Sequence, residues 1–252
     1  KTSKSHKPGD PESPLHFAAD NNRLDILNYL ASLPTICHMN LENVIYGSNM
    51  PGPGLPKPLS ILSNACQNNQ VDIVEFFMKL RGNKKIDFNE RQGEQRTSYT
   101  PFHVACASGN IEVVKLFLKH ADELNIDLNP VLLGGRQTPF RIAITRSKKE
   151  VVKLLLTDSR IDVNDALFVK IAGEQEDIFT MLVNSPKIPL EDLGHYGETI
   201  FHTVFGMKDE KNVEVLLKEA IKRNIASYLS VTKNRLGLTA IHCAFKYDFA
   251  DG

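Results

Sequence analysis

Apolar residues recur along this chain at helical spacing, in short segments that come in pairs. The segment 113–118 places valine, leucine and phenylalanine at the spacing of one helix face. The segment before it, 100–106, opens with Thr100 and Pro101. A threonine there can accept a hydrogen bond from the first helical turn, and a proline fits that turn because no amide donor is needed. Gly109 lies between the segments and tolerates the left-handed conformation that ends a helix. The pattern predicts two short helices in succession.

Copies of this pair recur along the chain. Their starts lie near residues 13, 60, 100, 138, 165, 199 and 239, which corresponds to a unit of about 33 residues with insertions and one deletion. Neither helix of a pair can bury its apolar face alone, whereas stacked pairs bury it continuously. We therefore expect a polar tail over 1–12 and one elongated helical domain over 13–252, with about six repeats and part of a seventh.

Turn-forming residues separate the helix pairs. Residues 86–89, 126–129 and 161–164 share the form Ile-Asp-apolar-Asn, and Asp and Asn satisfy their own backbone in turns. We interpret these stretches as projecting fingers. Residues 31–57 form the largest insertion, and its prolines exclude a helix there. A surface loop and a polyproline ligand for an aromatic groove both remain open for it. The charged stretch 90–97 is predicted to be the tip of a long finger. It is either a solvated loop or a segment that binds a partner.

The segments 13–19, 100–106 and 138–144 carry the pattern Thr/Ser-Pro-apolar-His/Arg-x-Ala, and each leads to a second apolar helix. An Asp-x-Asn turn follows in the repeats that start at 100 and 138. This combination resembles the ankyrin-repeat family over roughly residues 13–247. The resemblance implies an all-α solenoid of stacked helix pairs with short β-hairpin fingers. It also implies a concave face built from first helices and fingertips, which family members generally use to bind proteins. The repeat near 165 departs from the family pattern, with Lys170 where a small residue is usual.

Composition narrows the function classes. The chain is 42% hydrophobic and 24% charged with zero formal net charge, so it has no basic excess for nucleic acid or anionic membrane. No apolar run approaches the ~18–20 residues that cross a bilayer. Cys66 and Cys106 fall where small buried residues are expected, and we interpret the cysteines as reduced thiols. A zinc site or a disulfide is the alternative. We expect a monomer in the cytoplasm, or in the nucleus.

No combination of residues in the sequence predicts catalysis, a metal site or a cofactor. Histidines 16, 103, 202 and 242 occupy one repeat position on four different helices, and stacked helices lie roughly 8–10 Å apart. They cannot share one zinc at ~2 Å. We expect each ring to connect its own turn to the neighbouring finger. Cys106 and His103 are both repeat-determined, and Gly134–Arg136 lacks the lysine and hydroxyl residue of a phosphate loop.

The predicted function is a scaffold or adaptor that binds a partner protein through the concave face and fingers. The alternative is an intramolecular regulatory or targeting module of a larger enzyme, channel or secreted effector. Two small residues recur in the first helices, at Ala18-Ala19, Ala65-Cys66 and Ala105-Cys106. Residues that follow this small-residue pair are expected to face the partner, as are some one turn earlier. Val104 and Ile142 are the expected apolar centre and Arg146, reinforced by Arg136, the expected anchor. The predicted contact residues are Phe17, Asp20, Asn21, Gln67, Asn68, Val104, Ser108, Arg136, Ile142, Thr145 and Arg146.

Asn164 is a separate candidate, for modification. Leu156 followed after five residues by Asp162-Val163-Asn164 is similar to the sites that asparaginyl hydroxylases recognise in ankyrin fingers. The alternative is that Asp162 and Asn164 only stabilise a turn.

Overall fold

A computed structural model describes residues 14–32, 60–80, 86–91, 99–132, 137–164, 176–191, 198–206 and 210–248. The helices in these ranges are short, as the paired pattern predicts. In chain order they are α1 (Pro14–Asp20), α2 (Leu24–Ser32), α3 (Ile61–Gln67), α4 (Val71–Lys79), α5 (Pro101–Ser108), α6 (Ile111–Leu124), α7 (Pro139–Thr145), α8 (Lys149–Thr157), α9 (Glu176–Asn184), α10 (Ile200–Gly206), α11 (Glu210–Lys222), α12 (Tyr228–Val231) and α13 (Ala240–Asp248). None of these helices is long and apolar enough to span a membrane.

The helix boundaries follow the predicted capping residues. Thr100 accepts a hydrogen bond from the backbone N–H of His103 and begins α5 with Pro101 in its first turn. Gly109 ends α5 at φ 84°, and the equivalent Asn22 and Asn69 adopt φ 53° and 57°. These positive φ angles confirm that the chain turns through the left-handed region between the two helices of a pair.

The chain forms two compact units, residues 1–139 and 140–252. In the first unit, α1, α3 and α5 stack side by side, and so do α2, α4 and α6. Each first helix also packs on the second helix of its own pair. Phe102 on α5 and Phe117 on α6 are both fully buried, with ring centroids 5.5 Å apart. This unit therefore consists of three helix pairs around a continuous apolar core.

The second unit repeats this packing with fewer described first helices. The second helices α8, α9 and α11 pack in a row, and α10 packs on both α11 and α13. The short helix α12 lies against α13. The first helix of the repeat near 165 lies outside the described residues, and so does Lys170, which departs from the family pattern.

The fingers are turns rather than extended hairpins in the described ranges. Backbone N–H groups of Asn89, Asn129 and Asn164 each donate to the aspartate two residues earlier at 2.9 Å. An isolated antiparallel bridge joins Lys233 and Thr239. The predicted turn chemistry is confirmed, but the described ranges contain no β-strand, because each turn satisfies its own backbone with a side chain. The predicted insertion 31–57 begins later than expected, since residues 31–32 still belong to α2, and its remainder, 33–57, lies outside the described residues. Residues 92–97 of the charged stretch 90–97 also lie outside them.

Candidate partner-binding surface

The residues that follow the small-residue pair form an accessible row in the first unit. Four of them are exposed, namely Asp20 and Asn21 at the end of α1 and Gln67 and Asn68 at the end of α3. Ser108 at the end of α5 is half-buried. These five side chains, with Phe17 and Asn64 one turn earlier, are here named the first-helix row. They stand on neighbouring helices because α1, α3 and α5 stack in register.

Hydrogen bonds link the row into a polar line. Asn64 Nδ2 donates to Asp20 Oδ1 at 2.6 Å across the α1–α3 contact, and Asn68 Nδ2 donates to Asn64 Oδ1 at 3.1 Å. Asn21 Nδ2 donates to the Phe17 carbonyl at 2.8 Å. A carboxamide that makes one such bond retains further donor and acceptor positions. The line is therefore oriented and still able to pair with a partner's polar groups.

Two amide side chains that the sequence analysis did not identify hold this row in place. Gln70 Nε2 donates to the Ala19 carbonyl at 2.7 Å. Asn110 Nδ2 donates to the carbonyls of Cys66 at 2.6 Å and Gln67 at 3.0 Å. Each of these amides belongs to the residue before a second helix. Each donates to C-terminal carbonyls of the first helix in the preceding repeat, and such carbonyls lack partners inside their own helix. Their repeat position, just before each second helix, is the signal that could have identified them.

The predicted apolar centre is wrong. Val104 is 9% exposed and Ile142 1% exposed, so both belong to the core and cannot contact a partner. Val104 lies on α5, which packs against α3, the first helix of the preceding repeat. Phe17 occupies the equivalent position on α1, where no described helix precedes it, and is 51% exposed. The accessible apolar group of the row is Phe17.

In the second unit one of the equivalent positions is basic, at Arg146. Thr145 and Arg146, at the end of α7, are exposed, and Thr145 Oγ1 donates to the Ile142 carbonyl at 3.0 Å. Ser147 follows with φ 56°. Arg136, the predicted reinforcement of Arg146, lies outside the described residues.

Two of the four histidines, His103 and His202, have the structural role predicted for them. Thr100 N–H donates to His103 Nδ1 at 3.2 Å, so the proton of the neutral ring is on Nε2, 3.3 Å from the Gln137 carbonyl. His202 makes the same pair of contacts, to Thr199 and to the Leu238 carbonyl at 3.0 Å. Burial lowers the pKa of His103 to about 4. The side chain of His16 is outside the described residues.

The buried cysteines are unsuited to nucleophilic chemistry. Cys66 and Cys106 are fully buried and are not in a disulfide. Burial raises the pKa of both thiols above the ordinary range. Cys106 therefore stays protonated, and His103 is occupied by Thr100 and Gln137. Among the described residues, no three His, Cys, Asp or Glu side chains come together as a metal site would require.

Two cations in the second unit were also missed by the sequence analysis. Arg223 donates to the carbonyls of Val183, Ser185 and Ile188 at 2.7–2.8 Å and to Glu219 at 2.9 Å. Lys187 Nζ donates to the Asp158 carbonyl at 2.6 Å, and burial lowers its pKa. Arg223 thus satisfies carbonyls at and after the C-terminal end of α9, and Lys187 satisfies one just after the end of α8, where each helix has the negative end of its dipole. Their role is to join repeats rather than to contact a partner.

Comparisons with known proteins agree with this architecture. The sequence model for ankyrin repeats (3 copies) matches residues 62–166. The ankyrin repeat domain of Bcl-3, described as a unique member of the IkappaB protein family, is similar over 98% of this chain and 100% of its own, with a TM-score of 0.71 at 17% identity. The human ASB11 ankyrin repeat domain is similar over 92% of this chain and 91% of its own, with a TM-score of 0.58 at 19% identity. No curated protein sequence matches. The repeated helix pairs and their caps, together with these similarities, show an ankyrin-repeat fold, and residues 62–166 match the ankyrin-repeat family model.

Proposed function

We propose that this chain is a non-catalytic protein-interaction module and that the first-helix row of the first unit contacts the partner. Ankyrin repeat domains are generally protein–protein interaction modules. The observation that carries the proposal is the polar line from Asp20 through Asn64 to Asn68, together with the exposed ring of Phe17 on the same helix as Asp20.

The chemistry of the row suits a polypeptide ligand. Carboxamides present donors and acceptors together, and these match the peptide groups of an extended or looped segment. Phe17 offers an aromatic surface, and aromatic side chains are enriched among residues that dominate binding energy. Asp20 is the charged member of the row and favours a partner that brings a cation near it. In the second unit Arg146 offers the opposite preference.

Further features fit this function. The high thiol pKa values of Cys66 and Cys106 favour a structural role, and buried unpaired cysteines suit the reducing cytoplasm or nucleus. We propose a monomer that needs no cofactor for binding.

A capture experiment followed by titration tests the proposal. The tagged chain is used to isolate a partner, and the affinity for that partner is then measured for Phe17→Ala combined with Gln67→Ala. Both side chains are exposed, so the double variant should fold. We expect at least a tenfold loss of affinity, ~1.4 kcal/mol. Tyr29→Ala is the matched control, since this aromatic side chain is 65% exposed on the second helix α2.

The outcomes separate the functions. Arg146→Glu shows whether the second unit contributes. Ile142 is left unchanged in this test, because a charge at its buried position would disrupt the core. Full affinity of the Phe17/Gln67 double variant for every captured partner would place the binding surface elsewhere. If the captured ligand is a segment of the chain's own parent polypeptide, the intramolecular regulatory module is correct instead.

A further inference from the structure

The second helices α2 and α4 of the first unit leave a groove between them. The groove holds about 330 Å³ and runs along both helices, from Leu24 and Asp72 in their first turns to Ala31 and Leu80 at their ends. An apolar cavity of about 150 Å³ in a protein is already large enough to take up benzene. The space therefore suffices for a large aliphatic side chain. We name it the α2–α4 groove.

A small side chain at one repeat position explains the groove. Counted from the repeat starts at 13, 60 and 100, Ala31 on α2 is equivalent to Met78 on α4 and to Leu118 on α6. Met78 and Leu118 are 4% and 9% exposed, so their long side chains are packed against neighbours. Ala31 is half-buried and offers a single methyl group, which leaves the space beside it unfilled. The groove thus results from the residue type at position 31, between two neighbouring repeats.

Apolar and polar side chains line the groove together. Phe76 on α4 presents a half-buried ring, and Leu24 on α2 adds aliphatic surface at one end. Asn28 on α2 is exposed, and its amide makes no hydrogen bond to a described residue. An apolar surface with a few polar groups that fix orientation is the usual composition of a binding pocket.

The groove carries one uncompensated charge. Lys79 Nζ lies 2.7 Å from Glu75 Oε1, so these two lining charges neutralise each other. Asp72 is exposed, and no described cation pairs with it. A carboxylate at this place favours a ligand that brings a cation, and it repels one that brings its own carboxylate, such as a fatty acid.

We propose that the α2–α4 groove binds a segment of a separate partner protein in which a large aliphatic side chain stands close to a lysine or an arginine. The aliphatic side chain fills the space beside Ala31 and covers the ring of Phe76. The cation pairs with Asp72, and the Asn28 amide bonds to a peptide group of the segment. The groove lies between second helices, whereas the first-helix row lies on first helices, so the two proposals fail independently.

Two variants of the chain test these contacts separately. Ala31→Leu introduces the side chain that α6 has at the equivalent position, so it fills the groove without adding a charge. Asp72→Asn removes the charge and keeps the shape. The matched control is Glu112→Gln, because Glu112 is the equivalent of Asp72 on α6, lies outside the groove and pairs with Lys115 at 2.7 Å.

Peptide selection identifies the chemistry that the groove prefers. Random linear peptides displayed on phage are selected on the whole parent chain, after depletion on the Ala31→Leu chain. We expect the enriched peptides to share a leucine, isoleucine or methionine within a few positions of a lysine or arginine. One enriched peptide is then synthesised with a fluorescent label, and its binding to each chain is followed by fluorescence anisotropy.

The affinities of this labelled peptide locate the site. Ala31→Leu should weaken binding at least tenfold, ~1.4 kcal/mol. Asp72→Asn should weaken it several-fold at low salt and much less at high salt, because salt screens the lost ion pair. Glu112→Gln should leave the affinity unchanged. Phe17→Ala should also leave it unchanged, and a loss there would assign the peptide to the first-helix row.

The other outcomes would overturn the proposal. These are the absence of enriched peptides, enriched peptides rich in acidic residues, or equal affinity for the parent and Ala31→Leu chains. A dimer in sedimentation that Ala31→Leu dissociates would assign the groove to a second copy, whose exposed Leu236 stands beside Arg235. Peptide binding that appears only after residues 33–57 are replaced by a glycine-serine linker would assign the groove to that segment of the chain itself.

Discussion

His103 Nε2 lies 3.3 Å from the carbonyl oxygen of Gln137, and this bond joins α5 to the stretch that leads into the next repeat. The ring is fully buried and its other nitrogen accepts from Thr100 N–H. A proton on Nδ1 would face that N–H, so the folded state keeps the ring neutral.

This arrangement predicts an acid-sensitive stability. The pKa of His103 is lowered from 6.5 to about 4 by burial, so below pH 6.5 the unfolded chain takes up a proton that the folded chain does not. Above pH 6.5 the effect is absent. As pH falls from 6.5 to about 4 the free energy of unfolding should drop by roughly 3 kcal/mol, and then level off. Urea titrations of the parent and of His103→Gln at a series of pH values measure this change in the free energy of unfolding. A difference between the two that is constant from about pH 7 to about pH 4.5 would contradict this role.

Phe117→Asp should strongly destabilise the first unit. The ring is fully buried between Phe102, at 5.5 Å, and Phe88, at 6.4 Å between centroids. The substitution removes both ring contacts and buries an unpaired carboxylate, at a cost on the order of 3–5 kcal/mol. Lys119→Asp on the exposed side of the same helix is the control and should change the denaturation midpoint little. A Phe117→Asp chain as resistant to urea as the parent would show that the helix faces are misassigned.

Asn110→Asp should lower the free energy of unfolding, although the two side chains have nearly the same shape. The Asn110 amide donates to the carbonyls of Cys66 and Gln67, and an aspartate of the same shape would place a carboxylate against those oxygens. Asn110→Ala loses the bonds without the repulsion, which we expect to cost about 1–3 kcal/mol. Thermal or urea unfolding should therefore rank the parent above alanine and alanine above aspartate. The same stability for all three would mean that the first-helix row is held by other contacts.

Asn164 is expected to accept one oxygen from an asparaginyl hydroxylase. Its side chain is exposed, and its described hydrogen bond is made by the backbone N–H to Asp162. The matched Asn89 is instead engaged, since its side chain donates to the Asn125 carbonyl at 2.8 Å and accepts from Asp127 N–H at 2.7 Å. Mass spectrometry after co-expression should find an added oxygen on Asn164 and little on Asn89. An unmodified Asn164 peptide would leave the turn as the only role of this residue.

The local features of the fold could be predicted from sequence because their causes are local. Thr100 caps α5 with groups three residues apart, Gly109 and Asn69 turn through positive φ, and Asp87 closes a turn on Asn89. The repetition of these signals also predicts the stack itself, since identical amphipathic pairs can bury their faces only on each other.

The candidate sites depended on tertiary structure, because exposure at a repeat position depends on which neighbours that repeat has. Phe17 and Val104 occupy the same position, yet one is 51% and the other 9% exposed. Asn110 and Arg223 bond to residues more than thirty positions away, and helical spacing does not predict such pairs. Periodicity thus determined which face of each helix is apolar, whereas the stack decided which apolar faces remain available to a partner.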